Sequence, residues 1–183
     1  MKKFIPIATG LLFTLVLISG FANDDTTGEK VSSYIAEQTR QIKSLSANDI
    51  KALQSGAGWG LAKPAELNGI PGPLHVLELQ EELGLSRLQK NKIQDLWSSM
   101  NEQAKLEGDR YLDVEEKIEE FFKSKKDNEE ELDNLLNQSA THLAALRKTH
   151  LLAHLEVLPI LSFHQIKKYN VLRGYQDHGR HNH

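Results

Sequence analysis

Apolar residues along this chain fall on two long seams. From Ser86 onward, Ile93, Trp97, Met100, Ala104, Tyr111, Val114, Ile118 and Phe121 recur at alternating steps of four and three, with one gap at Glu107. Such a 3.5-residue period lays one apolar stripe along a partner helix. Ser86 and Gln89 form a capping box, hydroxyl onto an early N–H and amide back to the cap, so a helix is predicted over 86–122. No Pro or Gly interrupts it except Gly108, at a cost of about 1 kcal/mol against Ala. At 1.5 Å per residue this helix is about 50 Å long. The second seam is Leu132, Leu136, Ser139, Leu143, Leu146, His150, Ala153 and Val157, ended by Pro159. Between the two lies a basic turn, Lys123 to Asn128, with Asp127 or Asn128 as the next cap and Glu129, Glu130 and Glu131 complementing the following dipole. A short turn between long amphipathic helices predicts an antiparallel hairpin. With the turn centred near 127, Glu107 faces Arg147, and Met100 and Ala104 fall near His154 and His150.

Shorter elements flank the hairpin. Residues 31–42 are weakly amphipathic through Val31, Tyr34, Ile35 and Ile42. Ser46 caps a short helix through Leu53 that Gly56 stops. His75 to Leu83 reads as another short helix, closed by Gly84. Ser162 and Gln165 repeat the capping box and open a last helix carrying Ile166, Tyr169 and Leu172, which stops at Gly174. Residues 56–73 hold five glycines and three prolines and read as a loop. The glycine spacing fits neither a P-loop nor a dinucleotide fingerprint, and Trp59, Leu61, Leu67 and Ile70 are its expected anchors onto the helices. The fold class is all-α, an elongated antiparallel helical hairpin with flanking short helices.

The ends change the picture of where the protein works. Lys2 and Lys3 precede an apolar run from Phe4 to Ile18 and the small-residue site before Ala22, so residues 1–22 read as a secretory signal cleaved after Ala22. The alternative is an uncleaved anchor, the run being near the lower limit for a span. Residues 23–44 form a polar leader and the weak helix, 45–175 the helical domain, and 176–183 a polar, disordered tail. The expected location is periplasmic. Without Lys2 and Lys3 the chain has 20 basic against 25 acidic residues, a formal charge of −5. That argues against nucleic acid, which needs clustered Lys and Arg. There is no cysteine, hence no disulfide, thiolate site or cysteine nucleophile.

Candidate chemistry rests on histidine. His150 and His154 lie four apart on one helix face, a spacing that lets two imidazoles share Zn, Ni or Cu. Glu107 and Met100 are the candidate third ligands, Met100 for a softer ion. The other reading is a pair of hydrogen-bonded seam residues. His142 can extend the face, and His178, His181 and His183 form a weak tail site. No H-E-x-x-H, Gly-x-Ser-x-Gly or triad is present, and the carboxylate pairs Glu115-Glu116 and Glu119-Glu120 read as a solvated face, so no enzyme activity is expected.

Two Leu-Ser-x-x-Gln boxes, Leu85-Ser86 with Gln89 and Leu161-Ser162 with Gln165, open the two halves of this exported helical chain. They resemble the Leu-Thr-x-x-Gln repeat of the Spy/CpxP family of periplasmic stress chaperones and heavy-metal resistance and sensor proteins. Residues 65–73, the His75-Val-Leu-Glu-Leu79 that follows and Leu172-Arg-Gly-Tyr175 look like its metal-resistance branch, and the resemblance covers about 45–175. It implies a curved helical cradle, often a homodimer, that shields unfolded or misfolded envelope proteins without ATP or any required cofactor. That family tends to present a basic concave face, which this acidic chain does not match. Two other roles remain open: a periplasmic heavy-metal-binding sensor or buffer, and a structural partner of a membrane-bound regulator.

Overall fold

The computed structural model describes residues 32–175. The chain divides into two units between Ile35 and Ala36, and the fold below is that of the second. The signal segment, the leader with Val31, and the tail with His178, His181 and His183 lie outside the described residues. Six α-helices and no strand occur among the described residues: α1 (Ala47–Gln54), α2 (Lys63–Glu66), α3 (Pro73–Glu78), α4 (Arg87–Lys123), α5 (Glu129–Val157) and α6 (Phe163–Leu172). None of these helices is long and apolar enough to cross a membrane. Where a weak helix is expected near 31–42, only one 3-10 turn forms, Ile35–Glu37. The helix expected to run from His75 to Leu83 starts two residues earlier, with Pro73 at its first position, and ends at Glu78.

α4 and α5, 37 and 29 residues long, pack together as the antiparallel hairpin. Ser86 closes the predicted box with Gln89 at the start of α4, and Asn128 accepts from the Glu131 N–H at the start of α5. Three apolar clusters follow one another along the pair. Near the turn, Val114 and Phe121 meet Leu135. In the middle, Ala104, Tyr111 and Leu112 meet Leu146, with Ile42, Leu45 and Leu53 of the α1 region laid over them. At the base, Ile93 meets Val157, Val76, Leu161 and Tyr169. Each fully buried side chain of this size contributes roughly 1.5–3 kcal/mol. The α5 seam differs from the expected one at a single position: Leu135 is buried and Leu136 is half-exposed.

Two further expectations are corrected. Glu107 does not pair with Arg147, which is exposed. Its carboxylate, 6 % exposed, takes Arg110 at 2.7 Å and Gln103 at 3.1 Å from its own helix, and His142 of α5 at 3.1 Å. The acidic face of α4 is also more than a solvated surface. Glu116 accepts from Gln41 at 2.7 Å, and Glu119 from the Lys43 ammonium at 2.9 Å. Glu115 bridges Ser44 at 3.1 Å and Ser139 at 2.6 Å. These carboxylates fasten the segment before α1 across the hairpin.

The two boxes meet at the base. Gln89 donates to the Ile160 carbonyl at 2.8 Å and to Gln165 Oε1 at 2.9 Å, while Gln165 donates back to Gln89 Oε1 at 3.2 Å and to the Leu83 carbonyl at 3.4 Å. Each glutamine therefore caps its own helix and the approach to the other. Leu85 and Leu161 are buried beside them.

Candidate functional site

The seams of α4 and α5 open where Trp97 and Met100 are only half-buried. The segment 55–75 crosses this opening as an ordered wrap and leaves a pocket of about 410 Å³. Trp59 forms one wall. It holds φ +42, a left-handed conformation uncommon outside glycine, and is fixed there by its Nε1–H donating to Asp49 Oδ1 at 2.8 Å. Its ring also packs on Tyr111 with centroids 6.1 Å apart. Asp49 is the N3 residue of the Ser46 capping box on α1, so the cap of one helix positions the pocket wall. Leu61 anchors the wrap in the middle cluster, whereas Leu67, expected to do the same, is exposed.

Glycines make the close approaches. A Cβ on Gly72 would lie 2.8 and 2.9 Å from Cε1 and Nε2 of His154, so the wrap reaches that ring only without a side chain. Gly56 has φ +69, and a Cβ there would lie 2.7 Å from the Asn101 carbonyl oxygen.

His150 and His154 both line this pocket, together with Met100. His154 Nδ1 lies 2.8 Å from the Ile70 carbonyl, which only accepts, so Nδ1 carries a proton and donates to it. His150 is 4 % exposed and its Nε2 has no hydrogen-bond partner. Burial, and secondarily charge on His154, pushes the His150 imidazole below its ordinary pKa, which keeps it neutral near pH 7. Of the expected ligand set, His150, His154 and Met100 therefore come together. Glu107 does not join them, its carboxylate being engaged with Arg110 and His142. Among the described residues no group of three or more His, Asp or Glu is arranged to hold a metal ion.

The carboxylate that does reach the pocket is Glu66, on the single turn of α2. Its Oε1 accepts from Tyr169 at 2.6 Å, Tyr175 at 2.9 Å and Arg173 Nε at 3.3 Å. Its Oε2 is 3.9 Å from His154 Nδ1 and is buried without a hydrogen-bond partner. Burial, reinforced by Glu66, raises the Tyr169 hydroxyl well above its usual pKa, so it stays a donor. Sequence reasoning missed Glu66, because its partners lie more than a hundred residues along the chain. The one local signal is Pro64 opening a helical turn inside a glycine-rich stretch.

No protein-family model matches the chain, and no curated protein or solved structure is significantly similar to it.

Proposed function

We propose that this chain is an exported, periplasmic holding protein of Spy/CpxP-like type that binds unfolded or misfolded envelope proteins without a nucleotide. The observation that carries this reading is surplus apolar surface on a well-capped scaffold. Phe122, Leu136, Leu152 and Leu155 of the hairpin stand 60, 50, 42 and 51 % exposed, and Phe163 at the start of α6 stands 83 % exposed. A protein that buried every leucine would have nothing to offer an unfolded chain, whereas exposed apolar surface marks interaction sites. The reciprocal glutamine pair supports the family reading, since it gives both Leu-Ser-x-x-Gln boxes one shared task.

An aggregation assay tests this. The chain without residues 1–22 should delay aggregation of a chemically unfolded client near stoichiometric ratio, with no nucleotide present. The triple variant Leu152→Ser, Leu155→Ser, Phe163→Ser should lose most of that delay while keeping its helical signal. No delay by the unaltered chain at several-fold excess would refute the proposal.

A second reading is favoured by one observation, the unpartnered His150 Nε2 beside His154 and Met100. Two imidazole nitrogens and a thioether suit a soft ion such as Cu(I) better than Zn or Ni, which lose Glu107 as a ligand. Binding that survives deletion of 176–183 and disappears in His150→Ala would support a metal-sensing or metal-buffering role; binding lost with the tail alone would refute this site.

A further inference from the structure

We propose that the pocket between the glycine-rich wrap and the hairpin is a binding site for a small neutral aromatic molecule bearing a hydroxyl, a ligand of the phenol class. This rests on the pocket and not on the holding of clients. Three observations carry it. The volume, about 410 Å³, lies within the range of small-molecule sites, roughly 300–1,000 Å³. The lining supplies flat and polarisable apolar surface from Trp59, Trp97 and Met100, which suits a ring. Two of the lining side chains, His150 and Glu66, each carry a buried polar atom with no hydrogen-bond partner, Nε2 and Oε2. Such atoms are uncommon in native proteins and call for a partner.

The chemistry of those two atoms selects the ligand. A carboxylate oxygen only accepts, so an anionic ligand would be repelled at Glu66. A cation gains little there, because Glu66 already takes Arg173 and two tyrosine hydroxyls, and Lys63 lines the same pocket. A neutral imidazole nitrogen takes or gives one hydrogen bond according to its tautomer. A neutral hydroxyl can donate to Glu66 or His150 and can accept as well, and an aromatic body fills the remaining space.

The chain has two tryptophans, and both line this pocket, so intrinsic emission reads occupancy directly. The full chain without residues 1–22 is titrated with p-cresol and, in parallel, with p-xylene, which replaces the hydroxyl by a methyl group. Both titrations are run with and without a chelator. The expected result is a saturable emission change with p-cresol, unaffected by the chelator, and binding of p-xylene at least about tenfold weaker, since a site with buried polar groups discriminates against the analogue that leaves them unpaired. His150→Leu should bring the two affinities together. No saturable change with p-cresol, equal affinity for both compounds in the unaltered chain, or binding abolished by the chelator would each overturn the assignment. The comparison in the unaltered chain decides the matter even where the variant folds poorly.

Discussion

Gly108 sits in the middle of a 37-residue helix, where helix propensity alone favours Ala by about 1 kcal/mol. Gly108→Ala should nevertheless destabilise the protein. A Cβ at this position would lie 2.6 Å from the carbonyl oxygen of Leu53 and 3.1 Å from its carbonyl carbon, closer than a methyl group and a carbonyl tolerate. The obstacle is backbone and has little freedom to yield. The Leu53 carbonyl accepts the Gly56 N–H at 3.1 Å in the turn that ends α1, and the Leu53 side chain is 1 % exposed in the middle cluster. Relief requires the end of α1 to lift off α4. Overpacking of this kind typically costs about 1–3 kcal/mol, and a rigid backbone neighbour belongs in the upper half of that range. Offset by the propensity gain, the net loss is about 1–2 kcal/mol. For a chain of this size each kcal/mol moves Tm by roughly 2–4 °C, so thermal unfolding followed by far-UV circular dichroism should show a fall of several degrees. Gly58→Ala is the contrasting control. Nothing lies within 4 Å of its added Cβ, and restricting the unfolded chain there should stabilise by roughly 0.4–1 kcal/mol. A Gly108→Ala protein that melts at or above the unaltered one would refute the close approach of α1.

Other expectations follow from single contacts. Hydrogen bonds from the Ser46 hydroxyl first, then Trp59 and the Ser46 N–H, hold the Asp49 carboxyl down to about 2; a depressed folded-state pKa gives stability that is present above the unfolded value near 3.9 and lost as pH falls through about 2. The gap in urea midpoint between the unaltered chain and Asp49→Asn should therefore be full at neutral pH and close as acid approaches pH 2, and a gap that widens in acid would contradict this. Gln89→Ala should cost about 1–3 kcal/mol because it leaves the Ser86 N–H and part of the Gln165 amide unpaired, and the cycle with Gln165→Ala should be clearly non-additive in chemical denaturation. Arg147→Ala should change stability by less than about 0.5 kcal/mol, while Glu107→Gln and His142→Ala should couple by roughly 0.5–3 kcal/mol; the reverse ranking would restore the Glu107–Arg147 pairing.

The fold was largely legible because its strongest signals are local and repeated. Serine boxes at 46, 86 and 162 start three helices, and the Ser86 and Ser162 boxes also start the elements that meet at the base. Seam periodicity then requires the hairpin. It could not choose between the adjacent Leu135 and Leu136, because both are leucine and a 3.5-residue pattern permits either at that step. Packing against Val114 and Phe121 makes the choice. The Glu107 error has a related origin. Centring the turn near 127 fixes the register to about one helical turn, and within that interval a buried carboxylate accepts whichever donor is nearest. Arg110, three residues along its own helix, and His142 are nearer than Arg147.

The pocket was harder to see, for a reason that lies in chain length and not in residue type. Its histidines belong to a periodic seam, so His150 and His154 stand out at once. Its remaining wall comes from a stretch with no period at all, where each residue's role is set by something distant. Gly72 matters because of His154, 82 positions on, and Glu66 because of Tyr169, Arg173 and Tyr175, 103, 107 and 109 positions on. Glycine in such a stretch is compatible with a turn, a flexible linker or a close approach, and composition does not separate them. The structure separates them by what a Cβ would strike: backbone at Gly56, the edge of an imidazole at Gly72, and nothing at Gly58. The first two positions fix the wrap against the hairpin, and the third does not. A wrap pinned at both ends over half-buried Trp97 and Met100 partly covers space that the seams alone would have left fully open to water. Along that half-covered space, His150 and Glu66 each hold a buried polar atom in want of a partner.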